Sequence, residues 1–120
     1  MSTVSVTLRE TPLLATHREE GGRLVEFAGW KMPVQYEGIA AEHEAVRKGA
    51  GIFDVSHMGQ IRVSGGDSER FLDQLLPAPV RRLSDGQMLY TPLCNTEGKC
   101  IDDRVLFRLS HDNFLLVVNA

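Results

Sequence analysis

Apolar residues along the chain follow two spacings, one typical of helices and the other typical of strands. Helical spacing predicts three helices, at about residues 12–20, at about residues 39–48 and between Asp67 and Pro77. Alternation or short apolar runs predict strands at about residues 23–27, 60–64, 87–93, 103–109 and 114–118. The stretch between residues 28 and 33 carries glycine and proline and is predicted to be irregular. This order indicates an α+β fold, with helices packed on a mostly antiparallel sheet.

The last predicted strand, residues 114–118, is apolar on both faces, and the sequence ends two residues after it. A strand that is buried on both faces needs covering elements on both sides. The pattern therefore predicts that residues 1–120 are the N-terminal portion of a larger protein. The alternative is a terminal strand tucked into a sheet. An uncovered strand would also be a template for pairing, which predicts a dimer or a swapped assembly.

Composition excludes several classes of partner. Of the 120 residues, 42% are hydrophobic and 24% charged, which is ordinary for a globular protein. The net charge of −3 gives no reason to expect nucleic acid or an acidic membrane as partner. The longest apolar run is too short to span a bilayer, and the N-terminus lacks the apolar core of a signal peptide. A cytoplasmic protein fits these features.

Cysteine, histidine and glycine patterns add no recognisable chemistry. Cys94 and Cys100 do not make a disulfide framework, fit a reducing compartment and are interpreted as buried thiols rather than a redox pair. The four histidines are scattered without metal-ligand spacing, so no metal site is predicted. The glycine-rich turn at residues 64–67 lacks the lysine of a phosphate-binding loop.

Two adjacent carboxylates, Asp102 and Asp103, are the most informative residues. Side chains alternate across a strand, so the two point to opposite faces and cannot share a proton. Asp102 falls in a row with arginines and is interpreted as a surface ion pair with Arg104. Asp103 falls in an apolar row, where an unpaired carboxylate would cost several kcal/mol. It is either a binding or catalytic carboxylate, or a strand-end aspartate bonded to loop backbone.

A tyrosine on a neighbouring apolar strand offers a second candidate. Tyr90 presents a flat ring for stacking together with a hydroxyl group. From the pattern alone, a core tyrosine with a bonded hydroxyl is the favoured interpretation, and a ligand-stacking role is the alternative.

Three blocks, in this order and spacing, distinguish the chain from a generic α+β domain. They are Phe-Ala-Gly-Trp-Lys-Met-Pro-Val-Gln-Tyr at 27–36, Gly-Ile-Phe-Asp-Val-Ser-His-Met-Gly at 51–59, and Tyr-Thr-Pro at 90–92 followed by Asn95, Gly98 and Ile-Asp-Asp at 101–103. Together they resemble the N-terminal third of the aminomethyltransferases, the T-proteins of the glycine cleavage system. The resemblance runs from about Thr11 to Ala120.

This resemblance implies a function for the complete protein. Members bind tetrahydrofolate in a central cavity and take the aminomethyl group from the lipoyl arm of the H-protein. They release ammonia and form 5,10-methylenetetrahydrofolate. The expected partner is therefore a lipoylated H-protein, and the expected cofactor is tetrahydrofolate. The piece itself is expected to be inactive, with weak or absent folate binding.

The resemblance also implies site residues. The second aspartate of the pair, Asp103, matches the key carboxylate near the reacting nitrogens of the folate. Folate-lining positions match Met58, Tyr90, Val117 and Asn119. Two departures stand out: Phe107 falls where some relatives have tyrosine, and Gly98-Lys99-Cys100 stands where relatives often have Gly-Gly before the Ile-Asp-Asp segment.

Two other functions fit the same superfamily. One is a non-catalytic folate-binding scaffold, whose members usually lack the first two blocks. The other is the folate domain of an oxidising flavoenzyme, in which a long flavin-binding region precedes the motifs. Here the first block begins near Met1, which argues against the flavoenzyme.

Overall fold

The computed structural model describes residues 7–120 and divides into two compact units, Met1–His57 and Met58–Ala120, each with its own sheet. The elements mix helices with mostly antiparallel strands, as the sequence predicts. In the first unit they are β1 (Arg9–Glu10), α1 (Leu14–Glu19), β2 (Arg23–Phe27), β3 (Trp30–Gln35) and α2 (Ile39–Lys48).

The sheet of the first unit has the order β1-β3-β2, with β1 parallel and β2 antiparallel to β3. The prediction that residues 28–33 are irregular is therefore wrong, because most of them lie in β3. Pro33 is tolerated in this central strand because β1 pairs only with Trp30 and Lys31 and ends before it reaches the proline. Helix α2 has the predicted bounds, but none of its residues is buried.

The first helix begins later than predicted. It starts at Leu14 rather than at about residue 12, and the Thr11 side chain bonds to Asp54. The Thr11 carbonyl still accepts a hydrogen bond from the Leu14 N–H at 3.1 Å.

The turn between β2 and β3 places two residues at positive φ, Ala28 at 50° and Gly29 at 80°. An alanine in this left-handed region costs roughly 1–2 kcal/mol, whereas asparagine tolerates it better. We expect Ala28→Asn to raise the free energy of unfolding by about 1 kcal/mol. Chemical denaturation measures this, with Ala15→Asn on the exposed face of α1 as a control that should lower stability.

In the second unit the elements are β4 (Gly59–Ser64), α3 (Ser68–Leu75), a short 3₁₀ helix (Val80–Arg82), β5 (Met88–Cys94), β6 (Cys100–Ser110) and β7 (Asn113–Val118). The sheet is antiparallel throughout, with the order β4-β7-β6-β5. Because β7 pairs with both β4 and β6, the last strand has no free edge to pair with another chain. The dimer or swapped assembly stays a prediction.

One face of this sheet forms the core of the second unit. Leu72 and Leu76 of the α3 region and Val80 pack against Leu106, Phe114 and Leu116 from the sheet. Four of the six are fully inaccessible to solvent. The opposite face, which we call the open face, carries exposed side chains such as Met88 and Tyr90. The open face is where most of the predicted site residues lie.

Candidate functional site

Three polar side chains meet on the open face. The register of β5 and β6 pairs Tyr90 with Val105 and Pro92 with Asp103, which makes Tyr90 and Asp103 diagonal neighbours. The Tyr90 hydroxyl donates a hydrogen bond to Asp103 Oδ2. Asn119, just after β7, donates from Nδ2 to Asp103 Oδ1 at 2.8 Å. Each carboxylate oxygen of Asp103 thus has one protein donor and retains a free lone pair for a ligand.

These donors set the charge of the cluster. The hydrogen bond from Tyr90, followed by the one from Asn119, holds the pKa of Asp103 below its usual range. The same contact with Asp103 raises the pKa of Tyr90, so its hydroxyl stays protonated and continues to donate. At neutral pH the cluster is therefore one fixed negative charge with an aromatic ring beside it.

Asp103 is exposed rather than buried among apolar groups. Its row of alternate residues is apolar, as the sequence indicated, but that row forms the open face and not the core. Asp103 has side-chain donors, so it is also not a strand-end aspartate held by loop backbone.

One further site candidate lies on the same face by strand alternation. Val117 lies opposite Val105 on one side and Gln60 on the other, and it is half-buried. Met58 directly precedes Gly59, the first residue of β4, and lies in the bend before that strand. The structure therefore brings Tyr90, Asp103, Val117 and Asn119 to one face of the sheet, with Met58 next to its first strand in sequence.

The predicted ion pair of Asp102 with Arg104 is confirmed, but it does not lie at the surface. Arg104 is only 8% exposed and lies on the face that carries the core. Asp102 Oδ2 accepts from Arg104 at 3.4 Å, and Asp102 Oδ1 accepts from Asn119 at 2.7 Å. Asn119 thus bonds to both aspartates at the point where their side chains diverge.

The cysteines also differ from their interpretation as buried thiols. Both are free, Cys100 is exposed and Cys94 is half-buried. They lie directly opposite each other at the end of the β5–β6 hairpin.

The first unit contains a polar network that the sequence analysis missed. Asp54 Oδ2 accepts from the Thr11 hydroxyl at 2.8 Å and from His17 Nε2 at 2.7 Å. Asp54 Oδ1 accepts from the backbone N–H of Ser56 at 2.9 Å. Because the Asp54 carboxylate only accepts, His17 Nε2 is the donor in that contact, and the Tyr36 hydroxyl lies within hydrogen-bond distance, 2.7 Å, of His17 Nδ1.

This network is buried and strongly polarised. The Asp54 side chain is 2% exposed and that of His17 is 7% exposed. Burial raises the pKa of Asp54, but the hydrogen bonds from Ser56, His17 and Thr11 outweigh it and hold that pKa far below its usual range. Burial, then the negative charge of Asp54, raises the pKa of Tyr36. Thr11 lies 43 positions before Asp54 and His17 lies 37 positions before it, so no motif spacing in the sequence connects the three. Asp54 itself stands in the second of the three blocks that carry the family resemblance.

Residues 7–120 bring together no group of three or more His, Cys, Asp or Glu side chains able to hold a metal ion. None of the helices in this described range is long and apolar enough to cross a membrane.

Comparison with known proteins identifies the fold and its relatives. The family model "GCVT N-terminal domain" matches residues 13–120. The chain belongs to this family. It is 50% identical over 113 residues to an aminomethyltransferase of Desulfitobacterium hafniense and 55% identical over 114 residues to one of Rubrobacter xylanophilus. These matches cover 94% and 95% of this chain, but only 31% and 30% of those relatives.

A solved structure agrees with this membership. The glycine cleavage system aminomethyltransferase T of Bartonella henselae superposes with a TM-score of 0.90 at 40% identity, covering 94% of this chain and 32% of that one. The α+β architecture is therefore that of the N-terminal region of a T-protein. The chain spans about a third of the length of the relatives it matches.

Proposed function

We propose that the complete protein containing this chain is a tetrahydrofolate-dependent aminomethyltransferase of glycine cleavage. In this proposal it takes the aminomethyl group from the lipoyl arm of the H-protein, releases ammonia and gives 5,10-methylenetetrahydrofolate. The observation that carries the proposal is the cluster of Asp103, Tyr90 and Asn119 on the open face of a family-typical sheet. The proposal includes that the complete protein acts in the cytoplasm.

The residues present fit a folate. A pterin ring is flat and carries N–H donors, and the open face offers Tyr90, which is 64% exposed, beside an ionised carboxylate with free lone pairs. Val117 adds apolar surface on the same face, and Met58 directly precedes its first strand. Tyr90, Met58 and Val117 would hold the ring, while Asp103 and Asn119 would bond to its polar edge.

Tetrahydrofolate, when bound, supplies the nitrogen atoms that accept the one-carbon unit. Asp103 acts on this step as a fixed negative charge. A carboxylate whose pKa is lowered is a weak proton acceptor at neutral pH, so general-base work is the smaller part of its role. Its larger role is to accept an N–H bond and to stabilise the positive charge that develops on nitrogen as a new N–C bond forms.

Tyr90 and Asn119 act as positioning residues for Asp103. Their two bonds fix both oxygens of the carboxylate, so it is already oriented before a substrate arrives. Placing two large substrates together contributes the rest of the rate, because positioning converts a bimolecular step into an effectively unimolecular one.

An assay of the complete protein with aminomethyl-loaded, lipoylated H-protein and tetrahydrofolate tests the proposal. We expect ammonia and 5,10-methylenetetrahydrofolate in equal amounts, with neither formed when the folate or the H-protein is left out. The alternative function, a non-catalytic folate-binding scaffold, predicts folate binding by calorimetry without ammonia release. That second result would overturn the proposed activity and leave the folate site in place.

The 120-residue piece is proposed to be inactive alone. The open face supplies one wall for a folate, and Tyr90 at 64% exposed has little protein around it. Calorimetric titration of the piece with tetrahydrofolate should show no binding in the micromolar range. Micromolar binding would mean that these residues alone supply most of the folate affinity.

A further inference from the structure

The end of the β5–β6 hairpin carries two thiols in an unusual arrangement. From Met88 to Leu93 the strands pair in a regular register, which would place Cys94 opposite Ile101. A β-bulge at this point skips Ile101 and pairs Cys94 with Cys100. The opposition of the two cysteines is therefore a product of the bulge.

The spacing across the ladder suits a covalent link. Residues directly opposite in an antiparallel pair have Cα atoms about 4.5–5.5 Å apart. A disulfide needs a Cα separation of about 4.4–6.8 Å. The two ranges overlap, so thiols on directly opposite residues can be linked with little movement of the strands.

The loop between the two cysteines is held by its own hydrogen bonds. The Asn95 N–H donates to the Lys99 carbonyl at 2.9 Å, and Gly98 N–H donates to the Asn95 carbonyl at 3.0 Å. Asn95 Oδ1 accepts from the N–H groups of Glu97 and Lys99 at 3.0 and 2.9 Å. This loop keeps the ends of both strands, and hence both thiols, in register.

The two thiols differ in access, which fixes the order of their reactions. Cys100 is exposed and Cys94 is half-buried. Cys100 Sγ lies 3.4 Å from the Asp102 carbonyl oxygen, to which it donates a weak hydrogen bond. An incoming reagent therefore meets Cys100 first, with Cys94 placed behind it.

We propose that Cys94 and Cys100 are a reversible oxidation site that forms a cross-strand disulfide by exchange with a low-molecular-weight disulfide. The Cys100 thiolate attacks one sulfur of the reagent R–S–S–R, forms a mixed disulfide and releases R–S⁻. The Cys94 thiolate then attacks Cys100 Sγ and releases the second R–S⁻. The two protein thiols lose two electrons and two protons, and the reagent is reduced to two thiols.

This inference does not depend on the proposed transferase activity. It concerns the segment that leads into Asp102 and Asp103, because Cys100 lies two and three residues before them. An exposed disulfide is labile in a thiol-rich compartment, so the link is a transient state rather than a structural staple.

Treatment of the complete protein with oxidised glutathione, followed by alkylation of free thiols and tryptic mapping, tests the proposal. Trypsin cuts after Lys99 and so separates the peptides 83–99 and 100–104, each with one cysteine. We expect these two peptides to be recovered joined, with no glutathione retained. In Cys94→Ser, Cys100 should keep its glutathione, because the resolving thiol is missing.

Repeating the reaction in denaturant is the control for the closeness of the two cysteines in sequence, because the unfolded chain keeps that closeness but not the hairpin. The folded protein should close the disulfide at least about tenfold faster than the unfolded chain, because the hairpin raises the effective concentration of one thiol at the other. Dithiothreitol should restore both thiols in the folded protein. Retention of glutathione on Cys100 in the unaltered protein, or equal closure rates folded and unfolded, would overturn the proposal.

Discussion

Asp103→Asn in the complete enzyme should lower the rate of aminomethyl transfer by about 10²–10³-fold, the usual cost of removing one preorganised electrostatic contact at a reacting centre. Asparagine has the same shape, and its oxygen can still accept from Tyr90 or Asn119. The substitution therefore removes the negative charge with little other change. Asp103 is exposed, so the unfolding transition in denaturant should stay where it is.

The rate constant for single-turnover transfer at saturating folate is the measurement that checks this. Glu97→Gln is a matched control, since Glu97 is an exposed carboxylate on the same hairpin whose ion-pair partner is the exposed Lys99. It should leave the rate unchanged. A near-normal rate in Asp103→Asn would remove Asp103 from the mechanism.

Tyr90→Phe separates positioning from charge. It keeps the aromatic ring but removes the main donor that lowers the pKa of Asp103, so that pKa should rise toward its usual value. The pH below which transfer fails should then shift upward, while folate still stacks on the ring. An unchanged pH profile would show that the Tyr90 hydroxyl has no influence on the Asp103 carboxylate.

Much of the second sheet could be predicted because its signals are local. Alternation along β6 showed that Asp102 and Asp103 face opposite ways, and the structure agrees. Alternation could not show which face is buried, because both rows contain apolar residues. Leu72 and Leu76 pack against the row of Leu106, and that tertiary choice leaves Asp103 on the open face.

Longer-range pairings had no local signal. Strand β3 contains Pro33 and follows a glycine, which favoured an irregular segment, and its pairing with the predicted strand β2 had no signal in the sequence. The bulge that pairs Cys94 with Cys100 depends on a register that sequence does not specify. The contacts of Asp54 reach back to Thr11 and His17, and nothing in the intervening residues indicates them.

Asp54→Asn should destabilise the first unit by about 1–3 kcal/mol at neutral pH, the cost of leaving a buried polar group without its hydrogen-bond partner. The Asp54 carboxylate accepts on both oxygens, from Thr11 and His17 on one and from Ser56 on the other. An asparagine can accept on one side only, so its NH₂ group must face a donor. A buried donor is then left without a partner, which is what makes the loss large.

The pH dependence of stability distinguishes this explanation from a simple packing defect. The folded pKa of Asp54 is depressed, so its stabilisation is fully present above the unfolded pKa of about 3.9 and is lost as the pH falls toward the folded pKa. We therefore expect the free energies of unfolding of the unaltered protein and of Asp54→Asn, measured in denaturant, to differ by a large gap at pH 7. The gap should be smaller near pH 3. Glu19→Gln, an exposed carboxylate on α1, should show no gap at either pH. A gap of equal size at both pH values would mean that shape, and not the charge of Asp54, holds Thr11, His17 and Ser56 together.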